Sequence, residues 1–244
     1  MSTLSGHDLL RLYETGARQH PLDRWLTILR AGLPALSRPD PADLTIGQRD
    51  FQLLEFREAH FGRILEAYGE CPACRAPLEF TLRTDRLRQE AQPPPEPGFT
   101  LSVAGYELKY RLPTSRDLAA AADLTDLQEA RKVILGRCLL AGAHRGEPVA
   151  GEELPAEVAA RLIAEMGRND PQADLSVALH CPECGHAWEV LVDIGMFVWH
   201  DLELQARRLL QEVHILASAY GWSETEILTL TPARRQAYLD LVLA

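Results

Sequence analysis

Hydrophobic residues recur at helical spacing through most of the first 70 positions. Residues 8–18 read as a short amphipathic helical segment, and Pro21 opens a second segment, PLDRWLTILRAGL, at a position where proline suits a first helical turn. Thr45 and Gln48 stand three apart before RDFQLLEFREAHFGRILEAYG, the spacing of a capping box. In that stretch Phe51, Leu54, Phe61, Ile64, Leu65 and Tyr68 repeat with the period of a helix, which predicts one helix up to Gly69 as its C-terminal cap, with Gly62 as a weak point. Beyond Cys74 the period changes to two, as Leu78, Phe80 and Leu82 alternate with Glu79, Thr81 and Arg83. A strand is expected there. The run AQPPPEPG, Ala91 to Gly98, cannot join a ladder and reads as an extended linker. FTLSVAGYELKYRLP then gives two alternating runs about Ala104-Gly105, a hairpin ended by Pro113.

From Ser115 to about Gly142 the chain is rich in Ala and Leu at spacings that fit two helices, and Glu152 to Met166 fits a third. Alternation returns in DLSVALH, residues 174–180, and again from Trp188 to Val192. The last 45 residues are helical: a long segment from about Val198 to Tyr220, a break at Gly221-Trp222, a short helix capped by Ser223 with Glu226, and a last one opening at Thr231-Pro232. The pattern is that of an α+β protein. It divides into a helical N-terminal region (1–70), a central part (71–195) and a helical C-terminal region (196–244).

Cysteine spacing carries the chemistry. Four of the five cysteines form two CPxC pairs, Cys71 with Cys74 and Cys181 with Cys184, each followed by a turn and an alternating strand. GECPACRAPLEFTLR and LHCPECGHAWEVLVD are thus a weak internal repeat. A CPxC pair supplies two thiolates, whereas a structural zinc ion takes four ligands in a closed tetrahedron. The economical expectation is one zinc held by Cys71, Cys74, Cys181 and Cys184, a four-cysteine zinc ribbon with a long insertion between its halves. Redox activity of a lone CxxC, or no metal at all, are the other readings of the same residues. His180 and His186 flank the second pair and are expected to stand beside the site, since four thiolates already saturate the ion. Cys138, in an apolar helical run, is expected to be a small buried hydrophobe.

Composition narrows the function classes. With 46% hydrophobic and 25% charged residues over 244 positions, the chain has enough apolar residues for a substantial core. A formal net charge of −10 speaks against a general attraction to nucleic acid or anionic membranes. Paired thiols in odd total number suit a reducing, cytoplasmic setting, the N-terminus lacks the uninterrupted apolar stretch of a secretory signal, and no segment is long and apolar enough to span a membrane. No phosphate-binding glycine loop, HExxH or nucleophile elbow occurs, and a closed four-thiolate site offers no open coordination position, so catalysis is not expected. Arg75, Arg83, Arg86, Arg88, Lys109, Arg111 and Arg116 keep open a second reading, a zinc-ribbon regulator that binds nucleic acid.

Three segments resemble proteins encoded among phage-tail and contractile-injection-system genes. TIGQRDFQLLEFREAHFGRILEAYGECPACRAPLEF is similar to their N-terminal part, YRLPTSRDLAAAA to an RLPTxxDL segment of T4-like baseplate proteins, and HILASAYGWSETEILTLTPARRQAYLDLV to a helical segment of tail-associated proteins. The resemblance implies a structural or chaperone-like component of a contractile tail or injection-system baseplate, with baseplate or tail-tube proteins as partners. Tyr220, Trp222, Ile227, Leu228, Tyr238 and Leu241 are the candidate partner-binding residues, because aromatic anchors on both sides of a turn suit an interface; packing of this region's own core is the equal alternative.

Overall fold

The computed structural model describes residues 4–32, 40–89 and 98–243. The protein is α+β, as expected. It divides into two compact units, one of Met1–Ser37, Leu53–Arg63 and Ile194–Ala244, the other of Arg38–Gln52 and Ile64–Asp193.

The first unit is helical. It contains α1 (Gly6–Gly16), α2 (Pro21–Gly32), the later turns of α3 (Ile46–Phe61) and, at the C-terminal end of the chain, three further helices. The Ser5 hydroxyl caps α1 by accepting from the Asp8 N–H at 3.1 Å. Thr45 and Gln48 form the expected reciprocal cap of α3, with bonds of 3.0 and 3.2 Å. Leu9, Leu12, Ile28, Leu29, Leu53 and Phe56 are buried in this unit.

The helix expected to reach Gly69 stops at Phe61. Gly62 takes a φ of +87°, open to glycine and strained for other residues, and the chain turns into strand β1 (Ile64–Glu70), in which Gly69 is a paired strand residue rather than a helix cap. β1 pairs antiparallel with β2 (Pro77–Arg83), so Leu65 faces Leu82 and Tyr68 faces Glu79. Leu65 and Leu82 are the buried pair at the base of this hairpin. A single turn, α4 (Thr84–Leu87), follows. The expected linker at Ala91 to Gly98 lies, apart from Gly98, outside the described residues.

β3 (Phe99–Val103) and β4 (Tyr106–Tyr110) form the expected hairpin about Ala104-Gly105, both at positive φ. α5 (Ser115–Ala121) and α6 (Leu127–Cys138) come next, and here a second expectation fails. The helical reading to Gly142 ends at Cys138, because Leu139–His144 forms β5 and pairs with β4. β6 (Glu147–Pro148) completes a sheet of order β3-β4-β5-β6. α7 (Ala156–Asn169) lays Val158, Leu162 and Met166, four apart, into a core with Leu108, Tyr110, Leu135 and Cys138. The Asn169 amide donates to the Tyr110 hydroxyl at 2.9 Å.

β7 (Ser176–His180) and β8 (Ala187–Leu191) make a second hairpin, again with a CPxC turn. α8 (Ile194–Tyr220) then runs through the first unit. Gly195 lies flat against the Trp25 indole, where a Cβ would collide with the ring. α9 (Glu224–Thr229) carries the expected Ser223–Glu226 capping box, and α10 (Pro232–Leu243) folds back on α8 around Leu216, Ile227 and Leu239. Arg235, 5% exposed, bonds the Glu212 carboxylate at 2.9 Å and the Leu230 carbonyl at 2.8 Å.

Candidate metal centre

The two CPxC turns are built alike. In the first, the Cys71 N–H donates to the Ala76 carbonyl at 3.0 Å and the Arg75 N–H to the Cys71 carbonyl at 2.8 Å. In the second, the Cys181 N–H donates to the His186 carbonyl and the Gly185 N–H to the Cys181 carbonyl, both at 2.9 Å. The residue after the second cysteine takes positive φ in each, 62° at Arg75 and 71° at Gly185. Each turn thus closes on itself and presents two thiols side by side.

Both hairpins belong to the second unit, and their turns meet. Cys71 Sγ lies 3.7 Å from Cys184 Sγ, and Cys74 Sγ lies 3.6 Å from Cys181 Sγ. All four sulfurs fall within 4.8 Å of one another. A metal–sulfur bond of about 2.3 Å in a tetrahedron separates neighbouring sulfurs by about 3.8 Å, so the cross-hairpin distances are those of one tetrahedral S4 site. The residues therefore fit a thiophilic ion, and these four cysteines can hold one. Burial alternates across the site: Cys71 and Cys181 face inward, Cys74 and Cys184 face solvent.

Four thiols this close cannot all ionise at neutral pH without a cation among them. Burial opposes ionisation of Cys71, but the N–H groups of Cys74 and Ala73 and the adjoining Cys74 and Cys181 thiols bring its pKa down to about 7. At Cys74 the Ala76 N–H favours the thiolate, yet the neighbouring Cys184, Cys181 and Cys71 sulfurs together with desolvation push the thiol up to about 12. A divalent ion at the centre removes that mutual repulsion.

The flanking histidines stand outside this set. His180 and His186 are exposed, and His186 stacks on Trp188 at 5.9 Å between centroids. Cys138 is fully buried in the core under the four-stranded sheet, and burial pushes its thiol up to about 11.

Three of the candidate basic residues, Arg83, Arg111 and Arg116, are held by carboxylates. Arg111 grips the buried Asp117 carboxylate with bonds of 2.6 and 2.9 Å, Arg137 adds one of 2.8 Å, and the Thr114 N–H another of 2.9 Å. Arg116 bonds Asp40 and Asp43, and Arg83 bonds Asp85. The RLPTSRD segment is thus an interlocked turn, with Arg111 and Asp117 as its clasp. Nothing in the sequence pattern singled Asp117 out as buried; the Thr-x-x-Asp spacing of Thr114 and Asp117 was its available signal.

The C-terminal candidates separate by depth. Ile227 and Leu228 are buried, Trp222 and Tyr238 are half-buried, and Tyr220 and Leu241 are exposed at 39% and 70%. Tyr220 stacks on Trp222 at 4.7 Å, and Tyr238 meets Trp222 edge-on at 4.8 Å. Among the described residues no helix is long and apolar enough to cross a membrane.

No protein-family model, curated protein or solved structure matches the chain.

Proposed function

We propose that the protein is a structural or assembly component that acts by binding other proteins, with one zinc ion in the four-cysteine site as the staple of its two hairpins. The observation that carries the reading is the crossed pairing of sulfurs from opposite ends of the second unit, 3.7 and 3.6 Å apart. Zinc is the natural occupant of a tetrahedral all-thiolate site in a structural role, since it has no redox chemistry and no directional d-electron preference. Four thiolates leave no coordination position for substrate, which supports a structural tie rather than a catalytic ion at this site.

The setting we propose is a contractile tail or injection-system baseplate in the cytoplasm, on the three segmental resemblances above. Partner contact falls on the exposed and half-exposed members of the C-terminal group, Tyr220, Trp222, Tyr238 and Leu241, with Ile227 in the core against which Trp222 and Tyr238 pack and Leu228 buried elsewhere in the unit. Nucleic-acid binding is the weaker reading, because Arg83, Arg111 and Arg116 are already committed to carboxylates.

Two measurements test this. Elemental analysis of protein purified without chelator should give about one zinc per chain; less than half an equivalent rejects the staple. Pull-down against baseplate and tube subunits should weaken by about 2 kcal/mol or more on combining Trp222→Ala with Tyr238→Ala, with helicity and metal content unchanged. Unaltered binding rejects that surface, and lost binding with lost helicity shows that the rings are core.

A further inference from the structure

The two hairpins provide an internal control, because one backbone design occurs twice in the same chain with different outer faces. On the first hairpin the solvent side carries Ile64, Glu66, Tyr68 and Glu70 on β1, with Arg83, Thr81, Glu79 and Pro77 opposite them on β2. Tyr68 is 64% exposed and Ile64 55%. Counting outward from the cysteines, the second hairpin places Ser176, Ala178 and His180 where the first places Glu66, Tyr68 and Glu70. The second hairpin forms the same turn, on a shorter antiparallel ladder, with Ser176, Ala178 and His180 at these positions. Holding a CPxC hairpin therefore requires neither an aromatic ring nor flanking carboxylates at those positions.

What the first hairpin gains is a charged and aromatic surface. Same-face neighbours along a strand are about 7 Å apart and directly opposed residues about 5 Å, so Glu66, Glu70 and Glu79 surround the Tyr68 ring on three sides. Among the described residues these carboxylates have no hydrogen-bond or ion-pair partner, and Tyr68 has no ring partner. Arg83, the one cation on this face, is bound to Asp85. Like charges so placed destabilise a free hairpin, and a cation set among them relieves it. The ring beneath accepts the same cation on its face, and an aliphatic stem along its edge.

We propose that the outer face of β1–β2 is a docking surface for a basic segment of a protein partner, which lays a lysine or arginine across Tyr68 among Glu66, Glu70 and Glu79. The proposal is separate from the C-terminal surface and from the identity of the metal, and it needs only that the hairpin be folded. Its acidity excludes a nucleic-acid occupant and selects a basic one.

The test uses the full chain and two fluorescein-labelled decapeptides, one alternating Lys and Thr and one alternating Glu and Thr, read by fluorescence anisotropy. The Lys peptide should bind and the Glu peptide should not. Tyr68→Ala, which leaves net charge unchanged, should weaken binding at least tenfold, as should the combined Glu66→Gln, Glu70→Gln and Glu79→Gln. Glu189→Gln, the matching carboxylate on the second hairpin, should leave it within twofold. Metal content and circular dichroism report that each variant is folded, and Tyr68→Ala with Glu70→Gln replaces the triple variant if that one fails to fold. Absence of Lys-peptide binding overturns the proposal. So does equal affinity in Tyr68→Ala, or an equal loss in Glu189→Gln, since either shows attraction to the net negative charge rather than to this face.

Discussion

The CPxC hairpins and the four-stranded sheet that separates them in sequence differ in how much apolar core backs their strands. The hairpins are two-stranded, and their deeply buried apolar side chains are Leu65, Leu82 and Leu179. Two-stranded ribbons of this kind are marginal on their own. The sheet β3-β4-β5-β6 instead packs Leu108 and Tyr110 against Leu135, Leu162 and Met166, and ties its entry to α5 with the Arg111–Asp117–Arg137 ion pairs. The lesson is that one unit contains a part held by a buried core and a part with little core of its own whose four cysteines can hold a metal, so the two should be separable by experiment.

The largest effect should come from the ligands. Thiolate–zinc binding supplies on the order of 10 kcal/mol, apparent and pH-dependent, so Cys181→Ser or a strong chelator should open both hairpins together while the sheet amides stay protected in hydrogen exchange. Protection of the first hairpin in Cys181→Ser breaks the comparison, because it means the two turns hold separate ions. Next in size is Asp117→Ala, which removes the shared acceptor of Arg111, Arg137 and the Thr114 N–H; because both guanidiniums are partly exposed and can turn to water, it should cost about 2–3 kcal/mol. Chemical denaturation should show that loss, with metal content at the wild-type level.

Acid should separate the two parts by order of failure. Burial disfavours the Asp117 carboxylate, yet Arg111, the Thr114 N–H and Arg137 outweigh it and hold its pKa well below the ordinary 3.8. Its stabilisation is therefore complete above about pH 4 and is lost only as pH falls below that. Protons compete with the metal for thiolates at much milder acidity, so hairpin opening should precede loss of the sheet in a pH series followed by hydrogen exchange. Asp50, which burial raises to about 6, acts in the opposite sense: it takes up a proton as pH falls through 6 and adds stability there. A single transition for hairpins and sheet contradicts the division.

The smallest effect distinguishes the hairpins from each other. Arg75 sits at φ 62° where its counterpart is Gly185 at 71°. Arg75→Gly should stabilise the first turn by up to about 1 kcal/mol, and Gly185→Ala should cost the second a similar amount, both measurable as shifts in metal-release midpoint.

How much of this was legible in the sequence differs by region for a physical reason. Metal-ligand spacing is local, so the four cysteines declared their site without any knowledge of the fold, and so did the caps at Thr45 and Ser223. β1 was hidden because Phe61, Ile64, Leu65 and Tyr68 happen to continue the helical period of α3 across Gly62, while its inward positions, Ala67 and Gly69, are too small to show alternation. β5, LLAGAH, has no period at all; pairing with β4 makes it a strand. The partition of the C-terminal aromatics between core and surface also depended on packing, which set Ile227 and Leu228 inside and left Leu241 out.

The separation of the crossed sulfurs along the chain, 113 and 107 residues, gives biosynthesis a fixed order. At about 5–20 residues per second, some 5–20 seconds pass between emergence of the first cysteine pair and the second. During that interval the nascent chain presents two thiols of a four-thiol site, and the sheet β3-β4-β5-β6 has time to form before the clasp can close. A ribosome-bound chain halted before Cys181 should therefore hold metal weakly, and completion of the second turn is the event that commits the unit to its final topology.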